Sequence, residues 1–149
     1  MTLEGEKRLL QAIVGLACLV PLSAGLWGVL SGPGWLRGVE AVPIDLDSHF
    51  RYVSGVFLGV GIGFVTCLRR IETRGDRFRL LGALVVLGGL ARLISLLTVG
   101  QPSGGHVFGL AMELGVTPCL IAWQASFAKR WAAAQRIGSS PGPTSALGR

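Results

Sequence analysis

Two residues in this chain carry charge where the surrounding sequence should exclude it. Arg92 lies inside the apolar run Leu80–Val99, and Glu113 inside the apolar run Val107–Phe127. Both runs are of membrane-spanning length, and an ionisable side chain at that depth is costly, tends to be paired and marks a functional-site hypothesis. If the two runs form a hairpin through Gly100–His106, the charges fall level. Arg92 stands seven residues before the end of its run and Glu113 six after the start of the next. Both then lie roughly 10 Å below the same surface at the helical rise. An Arg–Glu pair there could fix helix register. It could also grip the phosphate, carboxylate or carbonyl of a lipid-like molecule, with Glu113 or His49 as acid or base.

Other polar residues gather toward the same side. Asp45-Leu46-Asp47-Ser48-His49-Phe50-Arg51 closes the longest connection, Ser31–His49, and Asp47 or Ser48 could cap the helix that follows. Arg51, Arg92, Glu113, Asp47, His49 and Ser95 are the candidate ligand-binding residues. Gly55, Gly59 and Gly63 recur every four residues and are expected to form a helix-packing face. Pro118 deprives the carbonyl of Leu114 of its helical donor, so a kink is expected just below Glu113. The other half of the spans reads as almost wholly apolar apart from Thr66, Thr117 and Gln124. A proton or ion path across the membrane is disfavoured for that reason, and an outward-opening pocket is favoured.

The elements that must position these groups follow from composition. Of the 149 residues half are apolar, only 15% are charged and 23 are glycine. Mean hydropathy is +0.58. Soluble domains carry roughly 25% charged residues. Four runs are long enough to cross a bilayer: Leu9–Leu30, Phe50–Leu68, Leu80–Val99 and Val107–Phe127. The expected fold is all-α, a four-helix transmembrane bundle. Residues 1–8 form a short N-terminal segment with Met1–Glu6 loose, residues 9–131 the bundle, and residues 132–149 a disordered tail rich in Gly, Ser and Pro. The first run could be read as a cleaved signal peptide, but its length and Pro21 favour a retained helix.

The net charge of +6 is an orientation signal. Lys7, Arg8, Arg69, Arg70, Arg74, Arg77, Arg79, Lys129, Arg130, Arg136 and Arg149 all fall in the two terminal segments and the second connection. The positive-inside rule puts both termini and that connection in the cytoplasm. Nucleic acid is not expected as a partner. Contact of the five connection arginines with anionic lipid is compatible with the pattern but generic. Cys18, Cys67 and Cys119 show no metal-binding or redox spacing, so no metal and no cofactor are expected.

Several of these residues carry a resemblance. Asp47-Ser48-His49-Phe50-Arg51-Tyr52-Val53-Ser54-Gly55, then Ile71-Glu72, then Gly88-Gly89-Leu90-Ala91-Arg92-Leu93-Ile94-Ser95, then Glu113 with Pro118, resemble a bacterial family of small four-helix membrane proteins. That family is described only as a domain of unknown function. The resemblance spans about Leu10–Trp123 and implies a multi-pass protein of the bacterial cytoplasmic membrane, with no activity attached.

Three functions stay open on sequence. The first is an accessory or structural membrane protein with a buried network of Arg51, Arg92 and Glu113. The second is a lipid-, quinone- or isoprenoid-binding protein or membrane-embedded enzyme. The third is a small transporter subunit working as a homo-oligomer. No nucleophile motif, phosphate loop or nucleotide fingerprint supports a particular reaction, so an enzyme is the less favoured class. The bilayer is the expected partner, with a lipid-like ligand or other membrane proteins beside it.

Overall fold

The computed structural model describes residues 1–138, and every regular element in them is helical. Helix α1 runs Leu3–Ser31, α2 Ile44–Leu68, α3 Gly75–Thr98 and α4 Gly104–Ala111. A single π-helical turn, Met112–Val116, joins α4 to α5, Thr117–Gly138. With α4, the π turn and α5 taken as one rod, four helices are long and apolar enough to cross a membrane. The molecule is a four-helix transmembrane bundle. Leu3, the α2–α3 turn and Gly138 lie at one end, here called the termini end.

The helices start earlier than their apolar runs because polar turns precede the hydrophobic stretch. At the first helix, Thr2 accepts the Gly5 amide and Glu4 and Glu6 occupy the positive end of the helix dipole. Met1–Glu6 is therefore not a loose segment: α1 begins at Leu3, and Glu6 is buried. At the other end of the chain, Ala132–Gly138 continue α5. Alanine and glutamine sustain a helix past the apolar run, so the tail read from residue 132 is helical at its start. Residues 139–149 lie outside the described residues.

The core sits in the termini half. Leu10, Val14 and Cys18 of α1 meet Phe64 and Cys67 of α2, Ile71 of the turn, Phe78 of α3, and Leu120 and Phe127 of α5. Phe64 and Phe78 pack edge to face with centroids 5.1 Å apart. Toward the opposite end Pro33, in the connection after α1, is the one further apolar side chain buried among the described residues. There the helices pair through small residues instead. A Cβ on Gly25 would come within 2.7 Å of the Leu58 backbone nitrogen, so α1 and α2 touch backbone to backbone. Gly28 likewise lies hard against Ser54, and Gly89 of α3 against Glu113 and Leu114. Leu16, Leu19, Leu26, Leu84, Leu87, Leu90, Ile94 and Leu97 face outward. An exterior that apolar would be a liability in water and is what hydrocarbon requires.

The three glycines expected to make one seam do not. Gly55 faces Val29 of α1 at ordinary contact distance, Gly63 faces Leu81 of α3, and a Cβ on Gly59 would meet nothing within 4 Å. A four-residue step advances about 40° beyond a full helical turn, so the stripe winds off one neighbour and onto another. The helical glycines on which close packing between helices rests are Gly25, Gly28, Gly61, Gly63, Gly82 and Gly89, so of the expected three Gly63 alone makes a tight approach.

Candidate functional site

Arg92 and Glu113 meet in the half opposite the termini. Arg92 Nε donates to Glu113 Oε2 at 3.0 Å and Nη2 to Oε1 at 3.1 Å, a two-pronged pairing of guanidinium with carboxylate. The Glu113 side chain is 9% exposed and that of Arg92 is 32% exposed. Gly89 and Gly109 make the room: Gly89 brings α3 against Glu113, and Gly109 sits beside the guanidinium.

Glu113 stands in the π turn. Pro118 lacks an amide hydrogen, which leaves the preceding carbonyls short of a donor. The chain answers with a wider turn, in which the Thr117 amide reaches back to the carbonyl of Met112. The Thr117 hydroxyl donates to the same carbonyl at 3.0 Å. Where a kink is expected near Pro118, the helix carries a π turn. Such turns are rare and occur often at functional sites.

Arg51 belongs to a separate arrangement. Its Nε donates to Asp47 Oδ2 at 2.8 Å, and its Nη1 donates to the carbonyls of Val29 at 2.5 Å and Leu30 at 3.1 Å. Those carbonyls are the unpaired last acceptors of α1, at the negative end of its dipole, where a cation is favoured. Gly32 terminates α1 at φ +64, and a side chain there would collide with Asp47 and Arg51. Asp47 is thus an Arg51 partner inside the first turn of α2, not its cap. The helix begins at Ile44 behind Pro43, with no side-chain cap.

Among the described residues no hydrogen bond or ion pair joins Arg51 to Arg92 or Glu113. The single Arg51–Arg92–Glu113 network expected from sequence is two separate locks, one for each helix pair. Each is satisfied locally, α1 by its own carbonyl end and α3 by its own hairpin partner. His49 and Ser95 are exposed and belong to neither. The two pairs approach at this end, where Trp35, in the connection after α1, stacks on His106 of α4 with centroids 6.5 Å apart. His106 Nδ1 also lies 2.8 Å from Ser103 Oγ. Trp35, Leu36, Arg37, Pro102, Ser103 and His106 line an open groove there. Among the described residues no three His, Cys, Asp or Glu side chains converge as a metal site.

Sequence reasoning passed over a second polar cluster, at the termini end. Glu6 accepts from Trp123 Nε1 at 2.8 Å and from Arg130. Lys7 pairs with Glu72 at 3.1 Å and lies 4.9 Å from the Trp131 ring centroid. Gln124, fully buried, donates to the Ile71 carbonyl at 2.7 Å, and Gln11 to the Leu68 carbonyl at 2.6 Å. These bonds tie α1, the α2–α3 turn and α5 together around the core. Of these groups Gln124 and Gln11 lie within the apolar runs, while Glu6, Lys7, Glu72 and Arg130 lie just beyond their ends. The one available signal was the pairing of acids with bases at matched ends of distant helices, Glu6-Lys7 against Glu72 and Arg130.

Four apolar helices, an outward apolar surface and internally paired intramembrane charges define a small multi-pass membrane protein. The chain belongs to the family described as Domain of unknown function (DUF4345), whose model matches residues 9–124. No curated protein and no solved structure matches it.

Proposed function

We propose that this is a structural or accessory protein of the bacterial cytoplasmic membrane, in which paired charges set the register of two helix hairpins. The observation that carries the reading is the closed pairing of Arg92 with both oxygens of Glu113. A group that grips substrate or moves a proton needs a free face toward its target. Here both carboxylate oxygens and two guanidinium nitrogens are taken by each other. Arg51 is likewise spent on Asp47 and the end of α1. Buried ion pairs serve better to specify an arrangement than to stabilise it, which suits a scaffold.

The test is to replace both partners, Arg92→Leu with Glu113→Leu, and identify the proteins and lipids that co-purify with the full chain. An unchanged set is the expected result. Selective loss of one lipid species from a folded double variant would move the assignment to the second reading, a site for a lipid-, quinone- or isoprenoid-like molecule. That alternative draws support from the open groove beside the Trp35–His106 contact, lined by Leu36, Arg37, Pro102 and Ser103.

The basic residues support an orientation with both termini and the α2–α3 turn in the cytoplasm. A reporter fused after Arg149 should be active only when it works in the cytoplasm. Activity of an externally restricted reporter at that position would reverse the orientation.

A further inference from the structure

The α2–α3 turn concentrates positive charge in a way the sequence alone does not reveal. Arg69, Arg70, Arg74, Arg77 and Arg79 fall within eleven residues, and two acids, Glu72 and Asp76, lie among them. On sequence those acids should moderate the field. In the fold, Glu72 is turned inward onto Lys7 of α1, with its side chain only 11% exposed. Asp76 is exposed but pairs with Arg79 of its own helix, so the two charges offset each other. Of the two acids of α1 at this end, Glu6 is occupied by Trp123 and Arg130, and Glu4 lies exposed in the first helical turn. Arg69, Arg70 and Arg74 are left exposed, with no hydrogen-bonding or ion-pair partner for their side chains among the described residues.

The platform beneath them is rigid. The Arg70 carbonyl accepts from the Thr73 amide, the Thr73 hydroxyl and the Arg74 amide. Ile71 is fully buried as a plug, and its carbonyl is held by Gln124. The three arginines therefore leave from a hydrogen-bonded turn, so engaging an acceptor costs the rotamer freedom of their side chains and little ordering of the backbone. Within a turn or two on either side the helices expose Val65 and Leu80, so acyl chains begin where the arginines end. A planar guanidinium fork suits phosphate oxygens, and this one sits at headgroup level.

We propose that Arg69, Arg70 and Arg74 form a binding site for the phosphate headgroups of anionic phospholipids in the leaflet at the termini end. The site is separate from the Arg92–Glu113 pair and independent of whether the protein is a scaffold. Each arginine near an anionic surface favours binding by about fivefold.

The experiment uses the full chain in nanodiscs of equimolar phosphatidylglycerol and phosphatidylcholine, with the lipids retained after gentle extraction counted by native mass spectrometry. Phosphatidylglycerol should be retained over phosphatidylcholine by at least about fivefold. Arg70→Gln with Arg74→Gln should bring the ratio close to one, and Arg37→Gln, at the opposite end, should leave it unchanged. Equal loss in both variants would show a net-charge effect and overturn the site. Displacement of the lipid by millimolar inorganic phosphate would assign the arginines to a free anion. Restoration of the ratio only with a co-purifying acidic protein would assign them to a protein partner. Either result overturns the proposal. Should the double variant fail to fold, a salt titration of the wild-type chain decides. The preference should fade as the screening length contracts from about 10 Å at 0.1 M to about 3 Å at 1 M. A salt-insensitive preference would also overturn the proposal.

Discussion

Glu113→Leu should remove most of the folded protein, and Arg92→Leu should do nearly the same, while the two changes together should restore much of what either loses. Glu113 is buried and holds the guanidinium at two points. Taking it away leaves a half-buried cation between two apolar helices without its carboxylate partner. Breaking a buried pair costs on the order of 3–5 kcal/mol, because one charge is left uncompensated. Replacing both partners with leucine removes the uncompensated charge and leaves only a repacking cost, typically below that for a volume-matched swap at about 1.5 kcal/mol. Arg92 is the more exposed member, so Glu113→Leu, which strands it, allows some relief by reaching toward the headgroups. Arg92→Leu strands the carboxylate in its buried position. The measurement is denaturation in mixed micelles followed by tryptophan fluorescence for wild type, both single variants and the double. A coupling energy near zero would show that the pair is not obligatory for the fold.

The same two residues show what could be read from sequence. A charge within a long apolar run stands out against its background, and two such charges of opposite sign flanking one short connection have few other partners to find. The four spans were legible for the same reason, since about 20 apolar residues in helical conformation are a strong requirement of the bilayer. The termini cluster was not legible. Glu6 meets Trp123 and Arg130, more than a hundred residues away, and nothing local distinguishes such residues from ordinary flanking charges. Lys7 reads as an orientation signal and serves as the partner of Glu72. Arg51 was noticed, but its role was not, because capping the carbonyls of α1 depends on where the preceding loop returns the chain. The helix starts moved by up to six residues, as at Ile44, since polar first turns continue a helix without adding to an apolar run.

Packing between α1 and α2 gives the other large effect. Gly25→Ile should destabilise the protein by roughly 3 kcal/mol, the upper part of the range for overpacking. The obstruction is backbone: a Cβ at Gly25 would lie 2.7 Å from the Leu58 nitrogen and 2.9 Å from its Cα, so no rotamer change relieves it. The two helices would have to separate. In lipid, where close contact rather than water exclusion holds helices together, that separation forfeits most of what joins them. It would also carry the carbonyls of Val29 and Leu30 away from Arg51, so the loss of packing and the loss of the cation lock should come together. Gly59→Ile, on the same helix as Leu58 and one position away, adds the same side chain where nothing lies within 4 Å. It should fold as wild type in dilute detergent. The pair of variants, compared by the same micelle denaturation and by size-exclusion chromatography, separates an internal seam from an oligomeric one. If Gly59→Ile dissociates a dimer while leaving each copy folded, the open glycine faces a second chain. If Gly25→Ile is tolerated, the backbone approach of α1 to α2 does not hold the bundle together.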